Sequence, residues 1–352
     1  MATPKQKHKP GLLERLDQGA VICAEGYLFA LERRGYLQAG AYVPEVVLEH
    51  PEKVAELHRE FVHAGSDVVE AFTYYAHREK MKLIGRENDL ERINRDALAI
   101  AKGIADESGA LFAGDIANTN IFEPGDAKAA KVVRAIFEEQ VRWATDAGVD
   151  FIIAETISWG EEALIALDVI RKSEKPSVVT LAVHRKPETR EGWTISECCK
   201  RLQDAGADVV GINCTRGPAT TLPVLKEIRD AVSVHVAGLP VPFRTTEQQP
   251  TFQSLRDTAC GCLPREMPFP EALDPFTCNR YEIAEFAKAA YELGVHYLGV
   301  CCGASPHHIR AMAEALGRKP PASRYSTDMS KHAFFGSEEA IPKSYKAYAE
   351  NL

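Results

Sequence analysis

Three cysteines close two stretches of β-type sequence. Gly211-Ile-Asn-Cys214 ends one and Gly299-Val-Cys-Cys-Gly303 ends the other. Three thiolates without an obvious fourth protein ligand suit Zn2+ with one open coordination position. Zinc takes soft sulfur in tetrahedral geometry, and a vacant fourth corner marks a catalytic rather than a structural ion. The same residues also suit a plainer role, filling strand ends as small apolar side chains, because cysteine is among the most buried residue types. It is the third cysteine, on a separate stretch from the adjacent pair, that favours the metal. The chain has nine cysteines, including Cys198-Cys199 and Cys260-Gly261-Cys262, and no Cys-x-x-Cys knuckle of an ordinary zinc finger. An odd count without an export signal points to reduced thiols.

Whether the cysteines meet depends on the elements that carry them. A helical pattern ending in a small residue and glycine, then a short apolar run, recurs along the chain. Ala64-Gly65 precedes 67–72, Ala147-Gly148 precedes 150–155, Ala205-Gly206 precedes 208–213, and Leu293-Gly294 precedes 296–301. Glycine suits a left-handed helix C-cap, and an unbroken apolar run is a strand buried on both faces. Apolar stripes at helical spacing fill the intervals, as with Val54, Leu57 and Phe61, or Leu90, Ile93, Ala97, Ile100 and Ile104. Ser305-Pro306 reads as an N-cap followed by a first-turn proline. Further strands are expected at 20–24, 110–115, 177–183 and 234–238. Eight βα units over roughly 300 residues is the count of a (β/α)8 TIM barrel. An open doubly wound sheet is the rival, but no G-x-G-x-x-G follows the first strand. Residues 240–278, with clustered prolines and three cysteines, read as a long loop after strand seven. The barrel domain is placed at 1–318, and a C-terminal tail, for packing or oligomerisation, at 319–352.

Functional side chains of such a barrel sit where strands give way to loops at the C-terminal face. Those positions are Glu25, Thr73 to Tyr75, Asp115, Glu155, Asn213-Cys214 and Cys301-Cys302-Gly303. The cysteines therefore fall at strands six and eight, close enough to converge over the barrel mouth.

Composition bounds the partners. A formal charge of −8 argues against a general binder of nucleic acid or anionic membrane, which would carry a basic excess. The first residues carry positive charge without an apolar run behind it, and no apolar run reaches the ~18–20 residues that span a bilayer. The expectation is a soluble cytoplasmic protein acting on small molecules.

The two cysteine motifs together resemble the signature of the homocysteine S-methyltransferase family, and within it the betaine-using members. The likeness extends to Phe29-Ala-Leu-Glu-Arg-Arg-Gly-Tyr36, Glu49-His-Pro-Glu52, Leu57-His-Arg-Glu-Phe61, Ile153-Ala-Glu155, His308-Ile-Arg-Ala-Met-Ala-Glu314, Pro320-Pro-Ala-Ser323 and Glu350-Asn-Leu352. The resemblance implies Zn2+ held by Cys214, Cys301 and Cys302, with the homocysteine thiol as incoming ligand. It implies methyl transfer from an onium donor to that thiol, giving methionine. Glu155 matches a glutamate that anchors the homocysteine amine, and Asn213 either orients the cysteine loop or touches substrate. A methylated cation needs aromatic faces. Tyr42, Phe72, Tyr74 and Tyr75 are candidates, with Tyr75 matching a tyrosine linked to the donor, Phe72 read as core and Thr73 beside them. The tail resembles the family's C-terminal arm, which implies a homo-oligomer of two or four chains.

Three departures lie in the site. Cys23-Ala-Glu-Gly-Tyr27 replaces the family's Gly-Asp-Gly-Gly, so the acid moves by one position to Glu25 and Ala24 stands where the aspartate would be. A one-residue shift redirects a side chain unless the backbone bulges. Tyr42 replaces a tryptophan, and Thr156 a tyrosine. The donor is therefore less fixed than the acceptor. A sulfonium such as S-methylmethionine, S-adenosylmethionine or dimethylsulfoniopropionate is the near alternative. A zinc hydrolase on the same barrel is the distant one, disfavoured because three thiolates leave the metal less Lewis-acidic. A thiol redox sensor or zinc store would have no use for Glu155 and the tyrosines.

Overall fold

The computed structural model describes residues 9–352. Its eight strands are β1 Val21–Ala24, β2 Val68–Glu70, β3 Leu111–Ala117, β4 Phe151–Ile157, β5 Ser177–Ala182, β6 Val209–Asn213, β7 His235–Leu239 and β8 Tyr297–Val300. All neighbours pair in parallel, and β8 returns to β1 through Val21–Tyr297 to Ala24–Val300, closing a (β/α)8 barrel. The helices Pro51–Ala64, Leu90–Ser108, Ala127–Ala147, Gly160–Lys172, Ile195–Asp204, Pro218–Ala231, Arg280–Glu292 and Pro306–Ala315 follow the strands in order. No helix among the described residues is long and apolar enough to cross a membrane.

Two layers of apolar packing hold the strands. Outside them, branched and aromatic side chains such as Ile152, Val179 and Leu298 meet the helices. Inside, Val21, Val68, Leu111, Phe151, Val178, Val209 and Tyr297 form a second cluster, closed by Leu12 and Leu16 of the helix Leu12–Gln18. Helix ends behave as their glycines require: Gly65 and Gly148 hold φ of 115° and 82°, the left-handed cap that a side chain disfavours.

The chain between β7 and the helix Arg280–Glu292 is the long loop, broken only by the 3-10 turns Phe252–Ser254, Pro264–Glu266 and Asp274–Phe276. It holds one departure from the reduced-thiol expectation: Cys260 and Cys262 form a disulfide, while the other seven cysteines are free. Residues 319–352 carry the turns Pro321–Tyr325 and Met329–Lys331 and a short helix, Lys343–Ala349.

Two strands run further than the sequence pattern suggests. Asp115 and Glu155 lie within β3 and β4 rather than after them. The reason is pairing: Asp115 is in register with Ile153 and Ala117 with Glu155, so ladder bonds continue to the rim.

Candidate active site

Side chains alternate between the two faces of a strand, so each strand has a fixed inward set. Near the N-terminal ends this set is apolar, as with Val68, Leu111 and Phe151. Toward the C-terminal ends the same parity brings in Glu70, Asp115, Glu155 and Asn213, joined by Glu25 just beyond β1 and Cys301 just beyond β8. The four carboxylates, Asn213 and Cys301 are all buried.

Cys214, Cys301 and Cys302 come together, with their sulfurs all within 4.8 Å of one another. Tetrahedral zinc with Zn–S near 2.3 Å separates its sulfurs by about 3.8 Å, so this donor set fits such an ion. Electrostatics agree. Hydrogen bonds from Cys301 and Cys302 hold the Cys214 thiol well below its ordinary range. Burial, and then the two neighbouring sulfurs, push Cys301 up, and Cys302 rises chiefly through its bond with Cys214. The three sulfurs thus compete for protons, and a divalent ion would offset most of the charge of three thiolates. Unusual backbone delivers the sulfurs: Cys214 and Thr215 hold φ of 57° and 50°. Gly303 turns at φ 93°, where an added Cβ would lie 2.6 Å from the Phe243 ring.

Asn213 ties the sulfur cluster to the acids. Its Oδ1 accepts the Thr156 N–H at 2.9 Å, which fixes the amide orientation and aims Nδ2 at Glu155 Oε2, 2.5 Å, and Glu25 Oε2, 3.2 Å. Thr156 is placed to donate by an irregularity in β4, where the register shifts between Ala154 and Ile157 and φ reaches 59°. Its hydroxyl also donates to Glu155 Oε2 at 3.0 Å. Glu25 thus reaches the site despite its shifted position. Burial pushes it up to about 8, against the opposing Asn213 bond. Burial also raises Glu70, Asp115 and Glu155 well above the carboxylate range, with neighbouring carboxylates adding to it.

Two cavities meet at the sulfurs. The larger, ≈ 260 Å³, is walled by Tyr42, Tyr74, Tyr75, Trp159, Phe252 and Phe269 and reaches Cys214 and Cys302. The smaller, ≈ 10 Å³, is lined by Glu25, Glu70, Asp115 and Glu155 together with Cys301 and Cys302. Leu28, Tyr74 and Cys302 are walls of both.

The donor-side candidates fare unequally. Tyr42 stands in the larger cavity at φ 54°, with a buried hydroxyl that has no partner. Tyr75 also lines it, but Lys80 Nζ already lies 3.9 Å from its ring centroid and Tyr74 packs 4.2 Å away. Phe72 is buried against Tyr27 and lines the smaller cavity. Thr73 lines neither cavity, because its hydroxyl donates to the Asp115 carbonyl at 2.7 Å. Sequence reasoning missed Glu70, which reads as one more residue of an apolar run. It also missed Trp159, Phe252 and Phe269, which sit on loops without periodicity. His184 and Arg190 were missed too; both line the larger cavity, and Arg216 steadies their loop by donating to the His184 and Arg185 carbonyls at 2.7 and 2.9 Å.

Comparison with known proteins bears on this arrangement. The sequence pattern of the family described as homocysteine S-methyltransferase matches residues 26–316. Betaine–homocysteine S-methyltransferase 1 of Xenopus tropicalis is 38% identical over 348 residues, spanning 94% of this chain and 80% of its own. An S-methylmethionine–homocysteine S-methyltransferase of Pongo abelii is 36% identical over 344 residues, spanning 94% and 87%. Among solved structures, the metallated form of the homocysteine methyltransferase MmuM from Escherichia coli shares the fold, with a TM-score of 0.66 over 85% of this chain and 97% of that one at 16% identity.

Proposed function

The chain belongs to the homocysteine S-methyltransferase family, and on that premise we propose that it moves a methyl group from a betaine-like onium donor to the thiol of homocysteine, forming methionine. The observation that carries this reading is the meeting of two unlike cavities, one aromatic and one acidic, at a single group of sulfurs. An amino-acid thiol suits the acidic side and a methylated cation the aromatic side. Their reacting atoms would then face each other across Cys302, as a direct displacement requires.

Cys214, Cys301 and Cys302 would hold Zn2+. Bound there, the ion would supply a Lewis acid that keeps the acceptor sulfur deprotonated and nucleophilic near neutral pH. The remaining work falls to the chain. Glu155, fixed by Asn213 and Thr156, would take the acceptor amine, with Glu25 on the other side of the same amide. The Tyr42 and Tyr74 rings would attract the onium charge, and Tyr75, with one face covered by Lys80, would contribute its remaining surface. The onium centre leaves as a neutral amine or thioether, so no side chain has to protonate it for the carbon bond to break.

A sulfonium donor is the second reading. It is supported by the similarity to an S-methylmethionine–homocysteine S-methyltransferase. The test is methionine formation from homocysteine with betaine, S-methylmethionine, S-adenosylmethionine and dimethylsulfoniopropionate. Betaine is expected to serve. Turnover with sulfoniums alone would shift the donor, and no turnover with any would overturn methyl transfer. Metal analysis of wild-type protein should find about one zinc per chain, lost in Cys214→Ala; retention in that variant would overturn the ligand set.

A further inference from the structure

Four buried carboxylates face one small cavity, and none forms an ion pair with a basic residue among the described residues. Glu70, Asp115 and Glu155 offer oxygens within 4.8 Å of one another from three adjacent strands, and Glu25 with Glu155 does the same beside Cys301. Their hydrogen bonding is incomplete. Asn213 and Thr156 serve Glu155 and one oxygen of Glu25, and Glu70 has only the Cys23 thiol at 3.8 Å. Asp115 Oδ1 and Glu25 Oε1 are buried and accept nothing, on side chains only 4% and 6% exposed. A set of acids this dry and this poorly partnered is built for a cation.

Space and chemistry narrow the cation. The ≈ 10 Å³ of free volume is about that of one water-sized group, which an ammonium head fills. An ammonium carries three N–H donors, and three strands each present a carboxylate. The cavity also shares Cys302 with the larger one and includes Cys301, so a short aliphatic tether from the ammonium reaches the sulfur cluster. We propose that this acidic chamber, with Asp115 and Glu70 as its floor, seats the α-ammonium group of the thiol acceptor. Asp115 and Glu70 thereby become specificity-determining residues that favour amino-acid thiols over thiols lacking an amine. The assignment rests on homocysteine being the acceptor and adds two residues to the amine contact expected of Glu155.

The test uses zinc-loaded wild-type protein, Asp115→Asn and Glu70→Gln, with homocysteine and 4-mercaptobutanoate, the same acceptor without its amine. In Asp115→Asn the homocysteine KM should rise about tenfold or more while the donor KM stays within about twofold. The preference for homocysteine over 4-mercaptobutanoate should shrink in parallel, and Glu70→Gln should show the same pattern more weakly. Thermal shift gives a readout independent of turnover: homocysteine should raise the wild-type melting temperature more than 4-mercaptobutanoate does, and Asp115→Asn should narrow that gap. Unchanged homocysteine KM, unchanged preference and an unchanged thermal gap in both variants would overturn the proposal. So would a stoichiometric magnesium or calcium ion in wild-type protein that Asp115→Asn loses. Homocysteine-selective stabilisation without methionine from any donor would sink methyl transfer while leaving this ammonium seat standing.

Discussion

The Asn213 amide has two protons and four acceptors within reach: Glu155 Oε2 at 2.5 Å, Thr156 Oγ1 at 3.0 Å, Glu25 Oε2 at 3.2 Å and Cys301 Sγ at 3.9 Å. The two protons match the two carboxylates, and the bond to Glu25, the longer of the two, opposes only part of the push that burial exerts on it. Replacing Asn213 by alanine removes the donor from two buried carboxylates and the acceptor from the Thr156 N–H. Each orphaned group costs about 1–3 kcal/mol, so Asn213→Ala should lower the melting temperature and raise the homocysteine KM. Asn213→Asp should be worse, because it adds a further carboxylate to an acidic chamber. An alanine variant that melts and binds like the wild type would show that the amide organises nothing.

At the level of elements, six residues that are not glycine hold positive φ around the site: Tyr42, Tyr75, Asn120, Thr156, Cys214 and Thr215. Such conformations persist only when the surroundings over-determine them, and here the closed barrel beneath does so. The helix Pro51–Ala64 is part of that support. Its His58 is buried against Tyr27, with ring centroids 4.9 Å apart, and neither ring nitrogen has a partner. Burial lowers the His58 pKa from 6.5 to about 3. The unfolded chain therefore takes up this proton between about pH 6.5 and 3 while the folded chain does not, so the side chain's contribution to stability falls as pH falls through that window. His58→Leu lacks this liability, and its melting temperature relative to wild type should rise steadily from pH 7 to pH 4. A constant difference would remove His58 from the acid response. The eight strands were legible because their apolar runs are bounded by capping glycines. What could not be read was which residues of a run point inward. Glu70 follows Val68 and Val69 without any mark that its side chain enters the barrel, and Asp115 and Glu155 looked like strand ends because ladder pairing at the rim leaves no trace in composition. The sulfur cluster was legible only in part: spacing left it open, and likeness to a family resolved it. Phe252 and Phe269 come from a loop whose path no periodicity encodes.

The whole molecule adds a tail whose aromatic residues have little to cover them. Tyr325, Phe335, Tyr345 and Tyr348 are exposed, although Phe334 stacks on Tyr345 with centroids 5.0 Å apart. The turn Pro321–Tyr325 is tied to the barrel by Arg310, which donates to the Ala322 and Tyr325 carbonyls, and Ser326 and Thr327 bond Glu314 and Arg280, so the free part begins beyond Thr327. An arm of this kind buries its apolar surface when a second copy supplies the other half. Light scattering should find the full chain as an assembly of two or four copies, and a chain ending at Thr327 as a smaller species. Equal masses would leave the arm without that role.

The wall common to both cavities dictates traffic. The acidic chamber and the aromatic cavity share Leu28, Tyr74 and Cys302 as walls, beside the space that a methylated cation would occupy. If the thiol reaches the chamber past that wall, a donor that arrives early would block it, and turnover would be sequential, with the thiol entering first and the methylated product leaving last. Steady-state rates should accordingly show donor inhibition at low thiol concentration, relieved by adding more thiol; random entry would mean the partition at Cys302 swings aside.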